Sequence, residues 1–136
     1  MDLMKAMQVS SSGMRVQSAR MKMISENIAN ADSAINADGT GPYRRQVMYL
    51  QPDPSRKDGT VGVKLARMSS DYTTPLKQIY DPNNPLADDR GFVAMPNVDT
   101  VVESADLREA ARSYEANLSA IDSTKTMVTR TIDLLR

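Results

Sequence analysis

The sequence predicts an α+β protein in which long N- and C-terminal helices pair as an antiparallel, coiled-coil-like hairpin, with a small β-hairpin-rich module between them. All seven prolines fall between residues 42 and 96, and proline interrupts helices because it lacks an N–H donor and clashes with the preceding turn. Apolar residues recur three and four positions apart at both ends of the chain and alternate in its middle. The predicted segments are a helix in residues 1–33, an extended segment with a β module in 34–96, and a helix in 97–136.

The N-terminal segment has the pattern of an amphipathic helix. Seven of nine positions at three-four spacing are apolar, which is the apolar stripe of such a helix: Leu3, Met7, Ser10, Met14, Gln17, Met21, Ile24, Ile28 and Ala31. The run SSSG at residues 10–13 interrupts this pattern, and glycine costs roughly 1 kcal/mol relative to alanine inside a helix. We expect the helix to fray or bend at this run.

The C-terminal segment has a more regular stripe. Eight of its nine positions are apolar: Leu107, Ala111, Tyr114, Leu118, Ile121, Lys125, Val128, Ile132 and Leu135. Thr100 and Glu103 have the spacing of a capping box, which predicts the start of the helix. A helix from 100 to 136 would be roughly 55 Å long, so it requires a partner along its apolar side.

The middle of the chain predicts β structure. Residues 43–51 place Tyr43, Val47 and Tyr49 on one face of a strand, and apolar residues alternate again from Val61 to Leu65. The turn-rich run DPSRKDG between them predicts a hairpin. Two further short strands are expected around residues 76–80 and 91–95.

Composition excludes several classes of function. Lys and Arg together number 17, as do Asp and Glu, and this balance argues against a nucleic-acid binder, which normally carries a basic patch. The chain has no cysteine and no histidine, so disulfides, thiolate metal sites and the commonest general base are absent. No cleavable signal or apolar run long enough for a membrane span is visible, and a soluble protein is expected.

The candidates for enzyme chemistry are weak. The acidic run DPNNPLADD at residues 81–89 fails the EF-hand pattern, because Leu86 stands where the loop requires glycine and Phe92 where it requires glutamate. A small hydrolase using carboxylates such as Asp88 and Glu103 is the remaining enzymatic alternative. We expect no catalytic, metal-binding or cofactor-binding residue.

The methionines allow two interpretations. Six of the ten lie in the first 23 residues. They are either ordinary core residues or part of a surface that packs against non-identical neighbours, for which the flexible methionine side chain is suited.

Three runs of the sequence carry a resemblance to a known family. They are SENIANADS at residues 25–33, GPYRRQ at 41–46 and YDPNNPLADDRGFVAMPNVD at 80–99. Together with the two terminal helices, these runs resemble the flagellar axial proteins, and within them the short rod proteins of the bacterial basal body. The resemblance covers the whole chain and is weakest between residues 51 and 71.

The resemblance implies a structural protein and not an enzyme. It implies that the terminal helices form the inner layer of a hollow, torque-transmitting tube of the basal-body rod, with the β region outside. Implied partners are other copies of the chain, sister rod proteins and the flagellar type III export apparatus, through which the protein would leave the cytoplasm without a cleaved signal. Direct insertion into a membrane is not implied. The implied assembly residues are those of the two stripes and the helix end: Leu3, Met7, Met14, Met21, Ile24, Asn27, Ile28, Asn30, Leu107, Tyr114, Leu118, Ile121, Val128, Ile132 and Leu135.

Two asparagines at the end of the first helix fit this interpretation. We expect Asn27 and Asn30 to enter the left-handed conformation and to bond backbone groups with their amides, while Ala29 and Ala31 allow close helix approach. The alternative is an ordinary helix end leading to a loop. A second function also remains open, a soluble helical adaptor or export chaperone that holds one partner through the C-terminal stripe.

Overall fold

The computed structural model describes residues 3–35, 39–54 and 59–134 of the chain. Its elements are α1 (Leu3–Ala29), β1 (Gln46–Asp53), β2 (Gly62–Ser70), β3 (Lys77–Tyr80), β4 (Phe92–Met95) and α2 (Thr100–Leu134). Two long helices therefore enclose two short antiparallel β-hairpins in the chain order. The predicted α+β class is confirmed.

The first helix runs without interruption through residues 10–13, so the predicted fraying there does not occur. The Ser12 side chain is buried, and its hydroxyl accepts the backbone N–H of Val63 at 3.2 Å and donates to the Val9 carbonyl at 2.7 Å. These two bonds offset the cost of burying the hydroxyl. Gly13 faces α2, where an added Cβ would lie 3.0 Å from the Asn117 amide nitrogen. Contacts with β2 and α2 thus explain why residues 10–13 are helical although their helix propensity is poor.

The second helix begins with a different cap from the one predicted. The carboxylate of Asp99 accepts the backbone N–H groups of Val101 at 2.9 Å and Val102 at 3.4 Å, which makes Asp99 the N-cap. The predicted capping box from Thr100 to Glu103 is wrong, because the Glu103 side chain is buried and bonded elsewhere.

Strands β1 and β2 form a two-stranded antiparallel hairpin, here called the β-ribbon, as predicted. Gln46 lies opposite Ser70 and Asp53 opposite Gly62, with an irregularity after Tyr49. The first strand begins at Gln46, three residues later than the predicted strand. Residues 55–58 of the predicted connecting turn lie outside the described residues.

Strands β3 and β4 form the second hairpin, close to the predicted positions. Tyr80 and Phe92 lie opposite each other, and their rings meet edge to face at 5.3 Å. This hairpin leads directly into the short buried segment Pro96, Asn97 and Val98 that precedes α2.

The β-ribbon runs along α1 and is attached near both of its ends. Asn27 of α1 bonds Gln46 at the start of β1, and Ser12 bonds Val63 near the start of β2. The apolar core is correspondingly small and consists of the fully or nearly buried side chains of Val16, Met23, Ile24, Ala31, Val93, Val98 and Ala110. Within the three described ranges, neither helix has the combination of length and apolar character that crossing a membrane requires.

Candidate assembly interface

The two helices pack side by side in opposite directions. Asn27 of α1 hydrogen-bonds Glu103 of α2 at 3.1 Å, and Gly13 of α1 lies against Asn117 of α2. Moving 14 residues back along α1 therefore moves the contact 14 residues forward along α2. The predicted antiparallel pairing is confirmed.

In this register, the C-terminal end of α2 extends beyond the described start of α1. It places Leu3 opposite Met127, so residues 128–134 extend past the described start of α1. These residues are here called the α2 overhang. Val128 is half-buried, whereas Ile132 is 60% exposed and Leu134 is 87% exposed.

Residues predicted for assembly on α1 lie at intermediate or full burial. Ile24 and Asn27 are buried, whereas the other six are half-buried: Leu3, Met7, Met14, Met21, Ile28 and Asn30. Val16 and Met23 are more buried than the predicted methionines and were not among the predicted assembly residues. The side of α1 that packs inside the chain is thus rotated from the predicted stripe, and much of that stripe stays partly accessible.

On α2 the predicted residues divide into two groups. Leu107, Tyr114, Ile121 and Val128 are half-buried, while Leu118 and Ile132 are exposed. Leu135 lies outside the described residues. The structure therefore does not bring the predicted stripe together as one buried seam.

The fully buried positions of α2 were missed because they are small or polar. Glu103, Ala110 and Thr124 are buried, and they share a seven-residue periodicity with Asn117. Together with Leu107, Tyr114, Ile121 and Val128, they form the two alternating positions of a heptad. A search for large apolar residues finds only one of those two positions.

The centre of the site is Asn27, whose side chain is completely buried. Its amide oxygen accepts the Tyr43 hydroxyl and the Gln46 backbone N–H, both at 2.8 Å. Its amide nitrogen donates to the Gln46 carbonyl at 3.0 Å and to Glu103 at 3.1 Å. These four bonds use the whole hydrogen-bonding capacity of an asparagine amide.

A second buried asparagine holds the neighbouring residue of the same segment. Asn97 accepts the backbone N–H of Arg45 at 2.8 Å and donates to the carbonyls of Asp71 at 3.1 Å and Thr74 at 3.2 Å. The backbone of residues 45–46 is therefore bonded by Asn97 and by Asn27. We call the set of Asn27, Tyr43, Arg45, Asn97 and Glu103 the polar junction.

The charges of the polar junction are balanced by pairing. The Glu103 carboxylate is 1% exposed and accepts the Arg45 Nε–H at 2.5 Å. Asp106 lies 3.8 Å from Arg45 Nη2 and 4.0 Å from Arg20 Nη2. Because a buried carboxylate is costly unless it is paired and hydrogen-bonded, Arg45 and Asn27 together make the burial of Glu103 tolerable.

The phenol of Tyr43 also responds to this environment. Burial raises the pKa of Tyr43 above its ordinary value of 10.0, and the negative charges of Glu26 and Glu103 raise it further. The neutral hydroxyl, which donates to Asn27, is therefore the form that the folded protein favours.

The roles expected for the asparagines are partly confirmed. Both amides bond backbone groups, since Asn30 donates to the Glu26 carbonyl at 2.8 Å at the end of α1. The expected left-handed conformation is wrong, because positive φ angles occur in the described residues only at glycines. Asn27 lies inside the helix, so it does not terminate α1 but joins it to β1 and α2.

The three runs that resembled a known family meet at the polar junction. Asn27 comes from the first run, Tyr43 and Arg45 from the second, and Asn97 from the third. Local sequence patterns do not indicate this contact, because the second and third runs are separated by the whole β-ribbon. Glu103 could have been suspected, as a carboxylate at a heptad core position needs a buried partner.

The two carboxylates considered for catalysis, Asp88 and Glu103, both accept structural hydrogen bonds. In the described part of the chain, acidic side chains do not gather in groups of three that could hold a metal ion. The Asp88 carboxylate accepts the backbone N–H groups of Arg90 and Phe92, both at 2.9 Å, and so stabilises the turn before β4. Glu103 is occupied by Arg45 and Asn27.

Comparison with known proteins finds relatives that span almost the whole chain. Residues 7–34 match the family described as "Flagella basal body rod protein", and residues 89–134 match "Flagellar basal body rod FlgEFG protein C-terminal". The flagellar basal-body rod protein FlgC of Agrobacterium fabrum is 43% identical over 134 residues, covering 98% of this chain and 96% of the relative. FlgC of Salmonella typhimurium is 39% identical over 134 residues, with 98% of both chains covered. FlgC of Aquifex aeolicus is 40% identical over 136 residues, which cover 98% of this chain and 97% of the relative.

Proposed function

This chain belongs to the FlgC family of flagellar basal-body rod proteins, and on this basis we propose how it assembles. The chain is a structural subunit of the flagellar basal body and assembles with other rod components. The observation that supports this conclusion is the sequence identity of 36–43% between this chain and its FlgC relatives over nearly their full length.

The finer proposal concerns how the subunit polymerises. The paired terminal helices pack against helices of neighbouring subunits and form the wall of a hollow shaft that transmits torque. The exposure of Leu118 and Ile132 supports this proposal, because the two residues lie on nearly the same side of α2 and exposed apolar side chains grouped on one side of a helix are typical of an interface. The half-buried methionines of α1 supply adaptable contacts at the same wall.

The proposal also assigns a different role to each segment of the chain. Residues 1–33 and 97–136 act as assembly helices, and residues 34–96 form a module outside the wall. The predicted assembly residues keep this role as surfaces between subunits, except that Ile24 and Asn27 act inside the chain because they are buried there.

Export through the flagellar type III apparatus, without a cleaved signal, completes the proposal. It predicts that the chain recovered from purified basal bodies begins at its original N-terminus. Mass spectrometry of that material measures this directly, and a shortened N-terminus would contradict this part alone.

A non-catalytic role is also proposed, since the relatives are named as rod proteins and the acids considered for hydrolysis are occupied by structural bonds. The adaptor or export-chaperone alternative is not favoured by the comparisons. It predicts a defined dimer or heterodimer, whereas a rod subunit gives particles whose size grows with concentration. Light scattering against concentration separates the two.

A charge placed on the exposed side of α2 tests the proposed wall. Leu118 is 42% exposed, so Leu118→Asp should leave the isolated subunit folded while it abolishes incorporation into rods and swimming. Ser119→Asp is the matched control, because it adds the same charge at a neighbouring exposed position that is already polar. Normal swimming of the Leu118→Asp strain would contradict the proposal.

A further inference from the structure

The methionines of α1 lie on different sides of the helix. Met7, Met14 and Met21 follow one another at seven-residue intervals, nearly two helical turns, and all three are half-buried. They are here called the methionine row. Met23 comes two residues after Met21, about 200° around the helix, and is only 6% exposed. The same helix therefore carries a row of partly accessible thioethers and one that is buried.

The β-ribbon covers the side of α1 that carries Met23. This side chain lies beside Met48 and Leu50 of β1. Ser12, on the same side of α1, accepts a hydrogen bond from the backbone of β2 at 3.2 Å. Met14 comes two residues after Ser12, again about 200° around the helix. The methionine row is thus turned away from the β-ribbon and is not covered by it.

Methionine is the most readily oxidised type of side chain in this protein. The chain contains ten methionines and no cysteine, tryptophan or histidine, so no thiol competes for a peroxide. Hydrogen peroxide transfers one oxygen atom to the thioether, because an S–O bond forms while the O–O bond breaks and water leaves. The sulfur is oxidised by two electrons and the peroxide is reduced. The product, methionine sulfoxide, is polar where the thioether was apolar.

Sulfoxides in the methionine row affect packing between subunits more than packing within one subunit. The row is half-buried in the folded chain, so a sulfoxide oxygen can still be hydrated there. In the proposed shaft wall the same side chains lie between helices, where a polar group without a hydrogen-bond partner is costly. Oxidation therefore disrupts an interface rich in methionine while the fold of the single chain is kept.

We propose that the methionine row is an oxidation site, and that its modification in the unassembled subunit prevents polymerisation. The inference rests on the proposed function, because it requires the row to lie between subunits. Methionine sulfoxide reductases, which return the sulfoxide to the thioether, restore the form that can assemble. Met68 is 44% exposed on the β-ribbon, outside the proposed wall, so its oxidation leaves polymerisation unchanged.

Peroxide treatment of the purified chain tests the proposal. Peptide mass spectrometry identifies the oxidised residues, and light scattering measures the protein concentration at which particles form. We expect sulfoxides throughout the methionine row while Met23 remains largely a thioether, with unchanged helix content by circular dichroism. The concentration needed for particles should rise by about tenfold or more. Methionine sulfoxide reductases should reverse this rise, so the test does not depend on a substitution.

Replacement of the oxidisable side chains locates the effect. Leucine resembles methionine in volume and has no sulfur to oxidise. The triple variant Met7→Leu, Met14→Leu, Met21→Leu should therefore form particles at the same concentration before and after peroxide. Met68→Leu is the matched control, and it should remain as sensitive as the natural chain.

The outcomes distinguish the oxidation site from the underlying function. Unchanged polymerisation of a chain with a fully oxidised row would overturn the oxidation site and leave the rod function intact. The same holds if Met23 is oxidised as fast as Met21, if helix content is lost, or if Met68→Leu abolishes the sensitivity. Failure of the untreated chain to form particles would overturn the proposed polymerisation together with its sensitivity to oxidation.

Discussion

The two ends of the helix pair differ in chemistry. Where α1 meets the β-ribbon, Asn27 and Glu103 are almost completely buried, and each is bonded to residues from other parts of the chain. At the opposite end, Ile132 and Leu134 of α2 are apolar and largely exposed. A folded monomer normally shows the reverse arrangement, with apolar groups inside and polar groups outside.

This difference separates two tasks. Buried polar groups tolerate few alternative arrangements, because each misplaced group loses its hydrogen bonds in a water-poor environment. The polar junction is therefore suited to fix the register of the two helices and the position of the β-ribbon. The exposed apolar end contributes little to the fold of one chain and remains available for association.

Removal of the buried carboxylate should give the largest loss of stability. Glu103→Ala removes a partner of both Arg45 and Asn27, and since Arg45 is partly exposed and keeps Asp106 at 3.8 Å, we expect a loss at the lower end of the range for broken buried ion pairs, about 3 kcal/mol. Denaturant unfolding of the purified chain measures the loss. Glu109→Ala, at an exposed position of the same helix, should change the free energy of unfolding by less than about 0.5 kcal/mol. Equal effects of the two variants would remove the distinction between the junction and the exposed helix surface.

Loss of the central amide should be the next largest effect. Asn27→Ala removes four hydrogen bonds and leaves the Gln46 backbone groups in need of new partners, so we expect a loss of about 2–3 kcal/mol. Asn27→Asp should be at least as harmful, because it brings a second carboxylate beside Glu103. Hydrogen exchange of the Gln46 amide locates the change, and unchanged protection in Asn27→Ala would contradict the assigned role.

The Tyr43 hydroxyl should contribute less, and its contribution should depend on pH. Tyr43→Phe removes the bond to Asn27 and should cost about 1 kcal/mol near neutral pH. Because the folded state raises the pKa of Tyr43 above 10.0, it holds the phenolic proton more tightly than the unfolded chain does. The contribution is therefore fully present below pH 10 and is lost as the pH rises through the higher folded pKa.

Unfolding of the natural chain and of Tyr43→Phe across this pH range provides the comparison. The difference in stability between the two proteins should shrink above pH 10. A difference that grows with pH would show that the sign assigned to Tyr43 is wrong.

A substitution at the free end should have the smallest effect on the monomer. Ile132→Asp changes an exposed side chain, so the free energy of unfolding should shift by no more than about 0.5 kcal/mol. Incorporation into rods should nevertheless be lost. Sedimentation measures how much of the variant enters rods, and denaturant unfolding measures the stability of the same variant. A large loss of monomer stability would mean that this end of α2 also supports the fold.

Several features of the fold were predictable from local sequence. The confinement of proline to residues 42–96 left the two ends free to form long helices, and alternating residues located the strands near Val47 and Val63. These features follow from backbone chemistry and periodicity within short segments. The wrong expectations, such as the capping box at Thr100, arose where two local patterns were possible and a distant partner selected one.

The sequence by itself determined the α+β class, the two long helices, the hairpins between them and the resemblance to rod proteins. Only the tertiary structure decided which side of each helix is buried, because small and polar residues such as Ala110 and Thr124 occupy positions that hydrophobicity does not mark. It also decided that Asn27, Tyr43, Arg45, Asn97 and Glu103 form one junction. Those bonds join residues up to 76 positions apart, and local periodicity carries no information over that distance.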